Sequence, residues 1–402
     1  MSRTDQFLSW LQTHGGKFHR DAQYISNSSG FTIVAQHDLP ADTTVASCPF
    51  DLIITSKSAR AFLGKFMSGE DISSWNERQL LSTYLSFHIF LGNDESMNEH
   101  LPHRAYVQTL PSSDKLMMGV YFTETELNAF RGTNVYNAIV ERREQLQQEW
   151  KTCTAAVGRI NSAWGHSFTW DVYCASASYV ASRAFPSSLL SDVPSLNVED
   201  STEPILLPGV DALNHARGQP VSWVITTTGG TDKSISLVVH NPITAGSELF
   251  NNYGPKSNAE FITAYGFSIP ENPDDTMLLK VPGREGWQIG REAQGMDTVW
   301  SVFLDTVKLQ AFGEEDEVED YEVMLETSEV LQDALVALQR RLPESQPTSG
   351  IRDEVGRMLE HYLEGQRDIL SKALNFVNIK RTQAVEIARE MGIDLVLEDE
   401  ED

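Results

Sequence analysis

A chain of 402 residues, 41% hydrophobic and 22% charged, has the composition of a folded protein with room for two or three domains. Its 31 Lys+Arg against 57 Asp+Glu leave a formal net charge of −26, which argues against tracking a nucleic-acid backbone, where affinity comes from Lys and Arg on phosphates. That acidity either attracts a basic protein partner at long range or simply keeps the chain soluble.

Cys48, Cys153 and Cys174 stand far apart with no Cys-x-x-Cys pair, so neither a disulfide framework nor a zinc cluster is expected, and no metal. The start, Met-Ser-Arg-Thr-Asp-Gln, lacks the apolar core of a signal peptide, and no apolar run is long enough to span a membrane. The expectation is a soluble monomer of the cytoplasm and/or nucleus.

Phe7, Leu8, Trp10 and Leu11 predict a short amphipathic helix closed by Gly15-Gly16. A turn at Asn27-Ser28-Ser29-Gly30 leads into a strand from Phe31, and Thr43–Cys48 is a second strand. The loop between these two β runs predicts a hairpin, and Leu52–Thr55 adds a further apolar run. Helical spacing then takes over, at 75–91 and 138–163. Between them, Pro102–Pro111 reads as a segment laid across the surface. Trp170–Phe185 is a further helix, followed by a Ser/Pro/Asp-rich loop through Pro204. Val221–Ile225 and Ser234–His240 predict a hairpin, and 248–253 one more strand. At Gly254-Pro255 the chain breaks, and Ser257 with Glu260 forms a capping-box signature, so a helix should carry Phe261, Ile262 and Tyr265 until Gly266. After one last strand from Thr276, helical patterns run at 298–311, 321–342, 350–374 and 375–391. The acidic runs 314–320 and 398–402 read as linker and tail.

Taken alone, Asp211-Ala-Leu-Asn214-His215 is a candidate metal or acid–base site, since Asp and His four apart can share a helical face. It lacks the second His and the Glu of a helical zinc motif, and it equally fits polar groups tying a loop to the backbone. Tyr253 and Tyr265 fit buried tyrosines with satisfied hydroxyls. Arg183 fits a salt-bridge residue and Phe185 a core side chain. Serine-hydrolase, P-loop and dinucleotide signatures do not occur.

Five motifs stand in one order: Ser29-Gly30-Phe31, Ser182-Arg183-Ala184-Phe185, Asp211-x-x-Asn214-His215, Asn251-Asn252-Tyr253-Gly254 and Ala264-Tyr265-Gly266-Phe267. Together they resemble the split SET-domain methyltransferases, in the branch named after the plant Rubisco large-subunit lysine methyltransferase. The resemblance covers about the whole chain and is strongest from Ile205 to Pro273. It implies an α+β fold in which a SET β fold, residues 1–57 and 165–276, is interrupted by a helical insert at 58–164. An all-helical, substrate-binding C-terminal domain would follow at 277–402.

The resemblance also implies roles. Ser29, Gly30 and Phe31 match the turn whose backbone meets S-adenosyl-L-methionine; Thr32 stands where the family often has a second glycine. Arg183 and Phe185 match a cofactor-side arginine and an aromatic wall. Asp211, Asn214 and His215 match the segment that binds the cofactor's amino acid and adenine parts. Tyr253 matches the catalytic, cofactor-facing tyrosine, and Tyr265 and Phe267 the substrate lysine channel. The implied activity is methyl transfer to a lysine ε-amine of a basic protein, a ribosomal protein being the expected target, with no nucleic-acid or membrane partner. A histidine acceptor is the alternative, although a histidine-methylating relative has Asn where this chain has Phe185. A catalytically idle SET fold is a further alternative, against which Tyr253 and Asn214-His215 stand together. A metal hydrolase built on Asp211 and His215 lacks its remaining ligands.

Overall fold

The computed structural model describes residues 1–27, 30–92, 94–191, 193–196, 199–229, 232–280, 286–312, 319–344 and 349–395. Most of the acidic stretch from 314, the 398–402 tail and residues 230–231 of the hairpin turn lie outside that set. The chain forms two compact units, residues 1–121 with 140–255 and residues 122–139 with 256–402. The division thus falls after Pro255, upstream of the boundary expected at 276, and the 122–139 stretch of the expected insert groups with the C-terminal residues.

In the first unit a four-stranded sheet runs in the order Lys17–Phe18, Thr43–Pro49, Asp232–Val239, Val221–Thr228, every pair antiparallel. The expected hairpin between the runs at 31 and 43 does not form. Gly30–Ala35 pairs instead with Ala22–Asn27 across the short turn, Ala22 facing Ala35 and Asn27 facing Gly30. Thr43–Pro49 is buried at Val45, Ala46, Ser47 and Cys48, hence on both faces, and a strand so covered belongs in the middle of a sheet. At the apolar run Leu52–Thr55, a 3-10 turn at Phe50–Leu52 leads to one bridge, Ile54 to Leu206.

Helices cover this sheet because their starts are capped and their inner faces are apolar. The Glu77–Phe90 helix begins in a capping box of Asn76 and Gln79, and Thr169 caps Trp170–Arg183. Small residues let these two approach closely, with Ser86 Oγ donating to Ser176 Oγ at 2.9 Å. Glu149, on the long Asn134–Ile160 helix, is buried but paired: Arg78 Nε donates to it at 3.0 Å and Tyr173 Oη at 3.0 Å. Residues 102–111 are not a surface segment, because His103, Tyr106, Val107 and Leu110 are all buried.

The second unit holds a two-stranded antiparallel ribbon, Thr276–Leu279 with Trp287–Gly290, and the helices Met296–Val307, Asp320–Arg341 and Asp353–Glu390. The last of these is a single helix of 38 residues where two were expected. Its buried stripe, Leu370, Ala373, Val377, Ala384 and Ala388, crosses the expected break without losing phase, and no Gly or Pro interrupts it there. Among the described residues no helix is long and apolar enough to cross a membrane.

Two buried histidines make the first unit sensitive to acid. His103 contacts the Tyr84 hydroxyl and the Leu52 carbonyl, and His88 contacts the Tyr84 carbonyl and accepts the His103 amide. Burial pushes His88 down to about 3 and His103 down to about 4. Unfolded histidine titrates near about 6.5, so the pair's stabilisation is complete above that pH. It is lost as the pH falls through about 4 and then about 3. The urea midpoint should therefore fall more steeply on acidification in the native chain than in a His103→Gln variant.

Candidate active site

Asn214–His215 runs parallel to Phe250–Asn251, with Asn214 beside Phe250 and His215 beside Asn251. Parallel partners come from separated segments, and here the pairing brings two of the sequence motifs side by side. Asp211 and His215 do not share a helical face: a 3-10 turn at Val210–Ala212 gives way to extended chain at Leu213, which sends them apart. Among the described residues no group of three His, Cys, Asp or Glu side chains is placed to hold a metal ion.

Tyr253 is fixed at both ends. Its hydroxyl donates to the Leu213 carbonyl at 2.9 Å, and its amide donates to His215 Nδ1 at 3.0 Å. The His215 and Tyr253 rings stack at 5.1 Å and 26°. Accepting on Nδ1 leaves Nε2 as the protonated nitrogen of a neutral ring. Asn214 directs its amide to Glu248 Oε1 at 2.8 Å. Asn251 is 1% exposed; its Oδ1 accepts from Asn252 N at 2.8 Å, while its Nδ2 has no hydrogen-bond partner among the described residues.

Asp211 spends its carboxylate inside the protein. Tyr106 Oη donates to Oδ2 at 2.6 Å, and Arg183 Nη1 reaches the Asp211 carbonyl at 3.0 Å and Oδ2 at 3.5 Å. Burial holds Asp211 above the usual carboxylate range, with Arg183 and Tyr106 pulling the other way. Burial likewise pushes the Tyr106 phenol well up, so it serves as a donor. Arg183, Asp211 and Tyr106 line a small pocket, together with Tyr24, Phe31 and Ala212. Phe185 stands outside this lining. It pairs with Ile205 in a short strand and sets its ring against Trp223 at 6.2 Å.

Gly30 has φ +131°, a conformation that disfavours any side chain, and a Cβ there would stand 3.2 Å from Pro111 Cβ. The positive φ is what favours glycine here, and Pro111 is its nearest side-chain neighbour. Ser29 lies outside the described residues. Tyr106 and Trp223 escaped the sequence reading, since each is a lone aromatic whose only distinguishing mark is its spatial neighbour.

Tyr265 and Phe267 belong to the second unit. The expected helix starts at Ser257, whose side chain accepts from Glu260 N in a capping box. It then widens into a π turn over Phe261–Tyr265, closed by Gly266 N donating to Phe261 O at 2.7 Å. Gly266 at φ +82° ends it in the left-handed conformation that suits glycine. Phe261 stacks on Phe267 at 4.5 Å, and Tyr265 meets both edge-on. Burial pushes the Tyr265 phenol up to about 12, helped by Glu260, and Lys256 Nζ sits 5.8 Å from its ring centre. Asn258 ties this segment to the ribbon: Asp275 accepts from its amide at 2.7 Å, and Asn258 Nδ2 donates to Ile269 O at 2.9 Å.

Replacing Asp211 by Asn strips Arg183 of its buried counter-charge. The loss should be roughly 3 kcal/mol of unfolding free energy, read from urea denaturation with the native chain alongside.

Residues 30–254 match the family model described as the SET domain. The ribosomal lysine N-methyltransferase set10 of Schizosaccharomyces pombe is 32% identical over 284 residues, which is 69% of this chain and 48% of that protein. The actin-histidine N-methyltransferase of Gallus gallus is 25% identical over 285 residues, 69% of this chain and 44% of that protein. The chain thus spans about half the length of these curated relatives. In three dimensions it is similar to the SET domain of the Rubisco methyltransferase LSMT, solved with lysine and AdoHcy. The TM-score is 0.71 at 16% identity, covering 97% of this chain and 96% of that one. With more than half of its length matched by the family model, this chain belongs to the SET-domain family.

Proposed function

We propose that this chain is an S-adenosyl-L-methionine-dependent protein-lysine N-methyltransferase acting on a basic protein, a ribosomal protein before others. The observation that carries the reading is the fixed phenol of Tyr253, tied to Leu213 O and stacked on His215 where the 214–215 and 250–251 segments run side by side. The residues suit the cofactor's chemistry. Arg183, on the small pocket, offers a cation to a carboxylate, and Asn251 Nδ2, without a partner among the described residues, is a buried donor beside His215. Arg183, Asn214 and His215 would hold the amino acid and adenine parts, while Asp211 acts by keeping Arg183 in place. Bound there, the cofactor supplies an electrophilic methyl group on a sulfonium.

The protein's part in such a transfer is orientation. An in-line displacement needs its reacting atoms aligned, so rigidly held groups contribute most. Tyr253 serves as a neutral, oriented dipole that leaves a neighbouring cation unneutralised. The Leu213 carbonyl that anchors it is suited to weak C–H···O contacts with a polarised methyl. The amine must arrive without its proton, and an apolar channel favours that form. The resemblance to the family assigns Tyr265 and Phe267 to the lysine channel, and faces such as theirs suit a methylated, cationic amine. The net charge of −26 suits a basic target, as does the ribosomal activity in the fission-yeast relative's name. A cytoplasmic setting follows from that target. Histidine methylation is the second reading, favoured by the likeness to the actin-histidine enzyme.

Purified protein with labelled S-adenosyl-L-methionine and total cell extract should label a discrete protein band. The Tyr253→Phe variant should label it roughly 100-fold more slowly, as expected for removing one oriented hydroxyl from a reaction centre. No labelled band, or equal labelling by the variant, overturns the reading. Mass spectrometry of the band separates lysine from histidine, and so does pH. A lysine acceptor gives a rate that climbs with pH toward its pKa of about 10.4, whereas a histidine acceptor levels off above about 6.5.

A further inference from the structure

The strand Ala22–Asn27 alternates in burial at its start, and its inward residues are Ala22 and Tyr24. Aromatic neighbours hold the Tyr24 ring on three sides. It stacks on Phe18 at 5.3 Å and meets Phe7 and Phe31 edge-on at 6.3 and 5.8 Å. Tyr24 lines the same small pocket as Arg183, Asp211 and Tyr106. Burial pushes its phenol up, and the charges of Asp211, raising it, and Arg183, lowering it, reach it as well. The hydroxyl therefore stays protonated, a donor at the charged end of the pocket.

Among the described residues three hydroxyl side chains line this pocket, and two are committed. Tyr106 Oη donates to Asp211 Oδ2 at 2.6 Å, and Thr109 Oγ1 donates to the Tyr106 carbonyl at 2.7 Å. Tyr24 Oη makes no hydrogen bond to any described residue. Arg183 is only partly committed. Its Nη1 serves the carbonyl and the carboxylate of Asp211, whereas its Nε and Nη2 bond to no described residue. The pocket thus offers a phenol O–H and guanidinium N–H groups together, a donor set that matches an anionic acceptor.

We infer that Tyr24 is a further binding residue for the cofactor: its hydroxyl donates to the carboxylate of the cofactor's amino-acid end, beside the N–H groups that Arg183 has left. The inference rests on the reading of Arg183 as that carboxylate's cation, given under the proposed function. Asp211 already answers much of the Arg183 charge, so a carboxylate entering here leaves water for a site of little net charge. It then needs the second, neutral donor to replace the hydrogen bonds it gives up.

Tyr24→Phe keeps the packed ring and removes only the hydroxyl, which serves no described group, so the urea midpoint should stay at the native value. Titration with S-adenosyl-L-methionine should show a dissociation constant raised roughly tenfold to a hundredfold, the effect of one hydrogen bond to a charged acceptor. Methylthioadenosine keeps the adenosine and the sulfur and has no carboxylate. Its dissociation constant should stay within about twofold of the native value, which a merely structural role for Tyr24 would not allow. Native affinity for S-adenosyl-L-methionine in the variant, or an equal loss for both ligands, overturns this assignment and leaves the proposed function standing. A native chain that binds no S-adenosyl-L-methionine overturns the proposed function, and the assignment with it.

Discussion

An ionised carboxylate taken out of water must find partners or give up its charge, and Asp211 finds Tyr106 and Arg183 among its own. Tyr106 comes from the helical stretch after residue 100, and Arg183 from the end of a helix far along the chain. Two segments that are remote in sequence are thereby committed to one point. From there Leu213 is two residues away, and the Leu213 carbonyl holds the hydroxyl of Tyr253. The ion pair brings little net stability for its own sake, since desolvation cancels most of the Coulomb gain. What it contributes is a fixed place for a guanidinium and, next to it, a fixed place for a phenol.

The first unit separates support from chemistry. Its sheet and the 22–35 hairpin are closed by apolar packing, and every sheet pair is antiparallel. The parallel pairing of 214–215 with 250–251 lies outside that sheet and joins only two residues on each side. So short a pairing is weak as a ladder. Its worth lies in bringing His215 under Tyr253, after which ring stacking and the Tyr253 amide bond hold the pair.

Much of this was legible in the sequence, because it is written in local signals. The capping box at Ser257, the stop at Gly266 and the 221–239 hairpin all follow from neighbours a few residues apart. The order of the five motifs pointed to the family, and the match over residues 30–254 agrees. What stayed hidden depends on partners in space. The strand at 43–49 was assigned the wrong partner because burial on both faces cannot be read from an apolar run that is too short for a clear period. Tyr106 reads from the sequence as a surface residue, whereas in the folded chain its hydroxyl meets Asp211. The Asp211–His215 spacing fitted a helix, yet the backbone there is a single 3-10 turn followed by extended chain. The joint between the two expected helices at 374 does not exist, since the apolar stripe simply continues.

The π turn at Phe261–Tyr265 takes up chain length locally. A turn of this kind holds one residue more than an α turn over the same span, and Gly266 N closes it on Phe261 O five positions back. Removing any single residue between Phe261 and Tyr265 would let the segment relax to an ordinary helix. Gly266 N would then close on the same Phe261 carbonyl as an ordinary α bond four positions back, so the chain downstream would keep its direction. Such a chain would keep Tyr265, Gly266 and Phe267 in order and change only how the residues before them are spaced around the turn. The extra residue is therefore a local insertion, which the fold absorbs within a single turn.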